Sequence, residues 1–192
     1  MKNKNMGDKT QNIAQNGFTL VELIVYIGMA SLALMMIILT GQNLISSNIR
    51  AEAQRELSVN MRPLINQLTQ SVRNATDVVT ASSTFNVHPG AITLDYPGSD
   101  TDLIIDTYTK DVTLSNGQIV TIRKLRIKEG ALAYQDLTSD AVDVSNFVLR
   151  NLTKTSEKKN INIEVTLEQL NPLNDPNYNA AISVETAISL RQ

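Results

Sequence analysis

Residues that could carry out catalysis or bind a metal are few in this 192-residue chain. Cysteine is absent, which excludes disulfides, thiolate metal ligands and cysteine nucleophiles. The single histidine, His88, has no second histidine or cysteine to complete a metal site, so we expect it in a surface loop. No glycine-rich phosphate loop and no serine nucleophile elbow is visible. We therefore expect neither enzymatic activity nor a cofactor.

Two aspartates are candidate ligands for a calcium ion. Asp100 and Asp102 lie in a turn after Pro97-Gly98, and hard carboxylate oxygens in such a turn can bind calcium. The segment lacks the glycine and the terminal glutamate of an EF-hand loop. We therefore expect solvated turn acids and assign no metal, with Asp100 and Asp102 kept as calcium candidates.

A basic run in the second half of the chain is the one local feature that favours nucleic-acid contact. Arg123, Lys124, Arg126 and Lys128 lie in a predicted strand, where residues 124, 126 and 128 share one face. No aromatic residue is interleaved for base stacking, and the net charge of the chain is −2. We expect a solvated sheet face and no strong nucleic-acid signal.

The most informative charged residue is Glu22, because it lies inside an apolar run. Residues 18–39 are almost entirely apolar and are long enough to cross a bilayer as a helix. An ionised carboxylate within a bilayer costs roughly 2.5–3.5 kcal/mol on insertion scales, so such an acid is a functional candidate. The alternative is a carboxylate close enough to the headgroups to be hydrated. The residues assigned to the membrane anchor are Phe18, Leu20, Leu23, Ile24, Ile27 and Leu39.

Charges on either side of this run predict its orientation. Lys2, Lys4 and Lys9 precede it in a polar leader, residues 1–17, and no basic residue follows it until Arg50. The leader has no apolar region of its own, so it is not an ordinary secretory signal. By the positive-inside rule, the leader lies in the cytoplasm and the C-terminal bulk lies outside it. The sequence thus predicts a single-pass protein of the cytoplasmic membrane, in contact with membrane lipid.

The residues around Glu22 resemble those of a known family. The run from Gly17 to Val25 reads GFTLVELIV, and it resembles the N-terminal motif of type IV prepilins and type II secretion pseudopilins. The resemblance implies that a prepilin peptidase cleaves after Gly17 and N-methylates Phe18 as the new first residue. It also implies two kinds of partner, namely other pilin or pseudopilin subunits and the inner-membrane assembly platform. A periplasmic or extracellular filament would be the assembled form.

The physical chemistry of this motif agrees with an assembly role for Glu22. Phe18 and Glu22 are four residues apart and share one face of a helix. After cleavage, the amine of Phe18 brings a positive charge near the carboxylate, in the same chain or in a neighbouring subunit, and neutralises a charge that hydrocarbon penalises. An unpaired Glu22 therefore favours docking of a second subunit at a fixed axial offset.

Residues 41–75 predict an amphipathic continuation of the membrane helix, residues 18–40. Apolar residues recur at helical spacing from Leu44 to Val72. We expect this stripe to pack on a sheet of the exported domain, and a coiled-coil seam is the alternative. Pro63 either kinks the helix or begins a fresh segment.

In residues 76–192 the apolar residues recur at every second position, and this pattern predicts a β-rich globular head. Asn116-Gly117 is the strongest hairpin signal in the chain. One long helix followed by an antiparallel meander makes an α+β fold, which also resembles the pilin architecture of a helix lying across a sheet. The predicted strands are Ala91–Tyr96, Asp102–Thr109, Val112–Leu114, Gln118–Ile127, Leu132–Gln135, Val142–Asn151, Ile161–Leu170 and Ala180–Leu190.

Three functional classes compete at this point. The first is a pilin-like structural subunit of a type IV pilus or pseudopilus. The Pro63 interruption and the sizeable head resemble those of larger minor pilins and minor pseudopilins, and this resemblance implies a minor component rather than the bulk pilin. The second is a single-pass membrane-anchored binding module, for adhesion or DNA uptake, that forms no filament. The third, an anchored hydrolase, is disfavoured because no catalytic constellation is visible.

Overall fold

The computed structural model describes residues 18–96, 102–114, 116–154, 159–171, 176 and 179–190. A long helix is followed by antiparallel strands, in agreement with the predicted α+β class. The elements are α1 (Leu20–Asn74), β1 (Asp77–Val78), a short 3-10 helix (Thr80–Ser82), β2 (Ile92–Asp95), β3 (Leu103–Thr113), β4 (Ile119–Glu129), β5 (Gln135–Asp136), β6 (Val142–Asn151), β7 (Asn160–Gln169) and β8 (Ala181–Ser189).

The chain divides into two compact units, and the boundary falls inside α1, between Leu44 and Ile45. The described part of the first unit is helix apart from Phe18 and Thr19. The second unit, which we call the head, contains the remainder of α1 and all the strands. Pro63 lies within α1, which continues on both sides of it, so Pro63 does not begin a separate helix.

The strands form two antiparallel sheets, and the single predicted meander is therefore wrong in this respect. The first sheet has the order β1-β2-β3-β4-β5, and the second has the order β6-β7-β8. β4 and β6 lie side by side without ladder pairing; instead, the Arg123 amide donates to the Asp143 carboxylate at 2.6 Å. The Arg123 amide therefore donates to an acidic side chain, whereas in a continuous sheet it would donate to a backbone carbonyl of the neighbouring strand.

Two predicted strands are corrected by the register of the β3–β4 hairpin. Val112–Leu114 is not a separate strand, because β3 runs without interruption to Thr113 and pairs with β4 throughout. Leu132–Gln135 is mostly irregular, and only Gln135–Asp136 pairs with β4. The predicted hairpin at Asn116-Gly117 is confirmed: Gly117 adopts a φ of 81°, which glycine adopts without steric cost.

The head core lies between one stripe of α1 and the inner faces of the strands. The stripe predicted from the sequence is confirmed from Ala53 to Val72, whereas Leu44 and Ile45 are exposed. Phe147 is the largest fully buried side chain of this core. Other buried members are Leu57, Met61, Leu64, Leu68, Ile92, Ile105, Leu125, Leu149, Ile163 and Val165. The predicted packing of the stripe on strands of the same chain is thus observed, rather than a coiled-coil seam.

Candidate functional site

The N-terminus of α1 begins with a capping threonine three residues before Glu22. The amide of Glu22 donates to the Thr19 hydroxyl at 3.3 Å, and the amide of Leu23 donates to the Thr19 carbonyl at 3.1 Å. Thr-x-x-Glu is the pattern of a capping box, and an acid in the first turn is stabilised by the helix dipole. The sequence interpretation missed this cap by Thr19, although the spacing of Thr19 and Glu22 was visible in it.

The first half of α1 presents an apolar surface that no described residue of its own unit covers. By length and composition, α1 is apolar enough to cross a membrane, and its most apolar window is not buried. Phe18 is 74 % exposed, and its ring meets Tyr26 edge-on with centroids 6.0 Å apart. The other predicted anchor residues are between 50 % and 74 % exposed: Leu20, Leu23, Ile24, Ile27 and Leu39.

Glu22 lies on this apolar surface, and the described residues supply no partner for its charge. Its side chain is exposed, and among the residues that the structure describes no basic group forms an ion pair with it. Gly17, the predicted cleavage position, lies outside the described residues. The described part of the site is therefore a capped helix start with one unpaired carboxylate in a membrane-length apolar surface.

The calcium candidates are not brought together with other ligands. Asp100 lies outside the described residues, and Asp102 is exposed just before β3, where its carbonyl accepts the Gly130 amide at 2.9 Å. Among the described side chains, no group of three His, Asp or Glu residues is placed to hold a metal ion. Calcium binding by Asp100 and Asp102 stays a prediction.

His88 is exposed in a loop, as expected, and it also contacts the strands. The amide of Phe147 donates to its Nδ1 at 2.9 Å, and Nη1 of Arg123 lies 2.6 Å from its Nε2. His88 therefore connects the loop before β2 to the edge of β6, which is a structural role that the sequence pattern did not indicate.

The basic run on β4 is neither a solvated face nor an open basic strip, and this expectation is wrong. Lys124 is buried, with its Nζ 2.6 Å from the Asp136 carboxylate and 2.5 Å from the Asp140 carboxylate. Lys110 also pairs with Asp140 at 2.8 Å, and the Tyr108 hydroxyl donates to Asp136 at 2.9 Å. We call these five residues the Lys124 cluster. They fix the segment between β4 and β6 onto the outer face of the β3–β4 hairpin.

The remaining basic side chains of the run are also engaged. Arg126 forms two hydrogen bonds with Asp106, at 2.6 and 3.0 Å, and its guanidinium carbon lies 3.8 Å from the centroid of the Tyr134 ring. Lys128 lies 5.4 Å from the same ring. Tyr134 is supplied by the turn after β4, so the aromatic partner is close in space although it is not interleaved in the strand. The charges that would bind phosphates are largely compensated within the head.

The Lys124 cluster predicts a loss of stability in acid. Burial alone would raise the pKa of Asp136, but hydrogen bonds from Lys124 and Tyr108 outweigh it, and the pKa lies below its ordinary value of 3.8. Hydrogen bonds from Lys110 and Lys124 likewise lower the pKa of Asp140. Because the unfolded chain then binds more protons, the stabilisation is complete above about pH 3.8 and is lost as pH falls through the folded pKa values.

Urea unfolding of the full chain between pH 2 and pH 7 measures this effect. Lys124→Met should flatten the acid limb of the stability curve, whereas Lys154→Met, at an exposed lysine outside the cluster, should leave it unchanged. An acid limb that Lys124→Met does not alter would show that the cluster is not responsible for it.

Comparison of the chain with protein-family models, with curated proteins and with solved structures gave no match. The functional assignment therefore rests on the chemistry of α1 and of the head.

Proposed function

We propose that this chain is a pilin-like structural subunit of a type IV pilus or pseudopilus. Its leader, residues 1–17, would be removed by a prepilin peptidase, and Phe18 would become the N-methylated first residue. The observation that carries the proposal is Glu22 in the exposed apolar surface of α1, where no described basic residue forms an ion pair with it. A minor component of the filament, rather than its bulk subunit, is the role we propose, and it is supported by the sizeable head alone, because α1 continues through Pro63.

The apolar surface of α1 supports two successive states of the chain. Before cleavage the chain would be inserted in the membrane, and after assembly its helix would pack against other helices. While the chain is in the bilayer, lipid covers the anchor residues, and Lys2, Lys4 and Lys9 orient the leader toward the cytoplasm. In a filament, the same surface would be covered by the helices of neighbouring subunits. Membrane lipid, the inner-membrane assembly platform and other pilin or pseudopilin subunits are thus the proposed partners in turn.

The position of Glu22 supports a role in setting the register of assembly. In hydrocarbon its carboxylate is unfavourable unless a positive group compensates it. The amine created at Phe18 by cleavage is such a group, and the Phe18 amine of one subunit can meet the Glu22 of the next only at one axial offset. Processing and assembly would therefore be coupled through a single ion pair.

Cleavage is the first test of the proposed function. When the full chain is expressed with a prepilin peptidase, the product should begin at Phe18 and carry one added methyl group, as measured by intact mass and N-terminal sequencing. Gly17→Val should abolish cleavage, because the resemblance implies that the peptidase requires a small residue there. Gly7→Val changes another glycine of the same leader and should be processed normally.

An unchanged mass in the presence of an active peptidase would contradict the proposal. A chain that stays unprocessed and still binds a surface or DNA would instead favour the membrane-anchored binding module.

A further inference from the structure

The outer edge of β8 is a free strand edge within the described part of the head. In the second sheet, β8 pairs with β7 over its whole length and lies last in the order. No residue in the described part of the chain pairs with its other side. A strand edge of nine residues therefore presents amide and carbonyl groups to solvent.

β8 also lacks the features that protect edge strands from pairing. Its sequence, AISVETAIS, contains no lysine, arginine or proline. Its one charged residue, Glu185, is directed to the outer face of the sheet, where it accepts from Asn162 at 2.7 Å and lies 3.5 Å from Arg150. Because neither charge nor proline obstructs it, this edge can accept another strand.

A groove lies beside the first half of this edge strand. It has a volume of about 500 Å³ and is lined by Met61 and Ile65 of α1 and by Ile182 and Val184 of β8. Ile188, further along the same face of β8, is 3 % exposed, whereas Ile182 and Val184 are only partly buried. The inner face of β8 is thus covered at one end and left open at the other.

Arg62 gives this groove a charge preference. Its side chain lines the groove and is exposed, and none of the acidic residues in the described part of the chain forms an ion pair with it. A strand added beside β8 would place every second side chain over Met61 and Ile65. A carboxylate among those side chains would reach Arg62.

We propose that β8 and this groove bind an extended strand of a different protein chain by β-augmentation. The bound strand alternates apolar residues over the groove with polar residues on the outer face, and it carries one carboxylate on the groove side to pair with Arg62. Main-chain hydrogen bonds to β8 supply affinity, and the groove and Arg62 supply selectivity.

A second copy of β8 does not have the required chemistry. The side chains on its groove face are Ile182, Val184, Thr186 and Ile188, none of which is acidic, and its Glu185 lies on the opposite face. Pairing of two β8 strands would therefore leave Arg62 of both copies without a carboxylate. This difference is why a strand from another chain is the occupant we infer.

The test uses the full chain in detergent micelles and one synthetic probe. The probe is a ten-residue peptide that alternates valine and threonine and has one glutamate among the valines. We expect saturable binding by fluorescence anisotropy, and slower amide hydrogen exchange in β8. Arg62→Glu should weaken binding by about fivefold or more, and a probe with lysine in place of the glutamate should restore it.

Two further variants make the outcome decisive. Arg55→Glu changes an exposed arginine of α1 that does not line the groove, so it should leave the affinity unchanged. Ile182→Lys places a charge on the groove face and should abolish binding, while unchanged exchange in β7 shows that the sheet is intact.

Absence of binding, or binding that Ile182→Lys does not alter, would overturn the proposal. Dimers of the chain that form through β8 while the probe fails to bind would assign the groove to a second copy instead, which also overturns it. The assay involves neither cleavage nor filament assembly, so its failure leaves the proposed function untouched.

Discussion

Replacing Glu22 by alanine is expected to leave the chain in the membrane but to reduce its incorporation into filaments by roughly thirtyfold, corresponding to ~2 kcal/mol of lost interaction. Insertion should persist because the substitution removes the only acid of an otherwise apolar segment, and with it the insertion cost. Incorporation should fall because no carboxylate is left to compensate the Phe18 amine of a docking subunit. The measurement compares subunit in the membrane fraction with subunit in sheared filaments by immunoblot.

The position of Glu22 in the first turn of α1, after the Thr19 cap, requires a control of its own. Glu22→Gln keeps a side chain that suits the third position of a capping box after Thr19, yet it removes the charge, so it should assemble as poorly as Glu22→Ala. Ser31→Ala removes a hydroxyl from the same helix, where it donates to the Ile27 carbonyl at 2.7 Å, and should assemble normally. Normal assembly of Glu22→Gln would show that helix capping, and not the ion pair, is the function of Glu22.

The local features of this fold could be predicted because they depend on neighbouring residues. The helical spacing from Ala53 to Val72 specified which face of α1 is buried. Asn116-Gly117 specified a hairpin, because glycine adopts the positive φ that the turn requires. The alternation of apolar and polar residues also predicted most of the strand positions, because successive side chains of a pleated strand point to opposite faces.

The division into two sheets could not be predicted, because it depends on contacts between distant residues. Lys110 and Asp111 interrupt the apolar alternation of β3, and this suggested a break where pairing with β4 in fact continues. Nothing local in β6 indicates that Asp143 accepts the Arg123 amide in place of a strand partner. Such choices depend on tertiary packing, which overrides strand propensity.

The misinterpreted basic run has the same cause. A pattern of alternating basic residues is identical whether the acids that neutralise it are near or far in sequence. Here Asp136 and Asp140, in the segment after β4, pair with Lys124. Asp106, in β3, pairs with Arg126. Arg62, for which we propose a binding role, lines a groove beside β8. It belongs to a helix whose periodicity indicates packing alone.

Reversing the charge of Lys124 is expected to destabilise the head by ~3 kcal/mol. The Lys124 side chain is 4 % exposed, so Lys124→Glu would place a third carboxylate beside Asp136 and Asp140 with little water to screen it. Loss of one partner of a buried ion pair costs about 3–5 kcal/mol, and we use the lower end because Asp136 and Asp140 are themselves 36 % and 47 % exposed. Urea unfolding of the full chain, followed by circular dichroism, measures the change.

The same substitution at Lys154, which is exposed, should change the free energy of unfolding by less than about 0.5 kcal/mol. Adding Asp136→Asn and Asp140→Asn to Lys124→Glu should recover most of the loss, because the two amides no longer repel the new carboxylate. Equal effects at Lys124 and Lys154 would mean that Lys124 is solvated and that the basic run is an open surface after all. A large effect confined to Lys124, with recovery in the triple variant, would establish that the charges of β4 serve the fold of the head rather than a ligand.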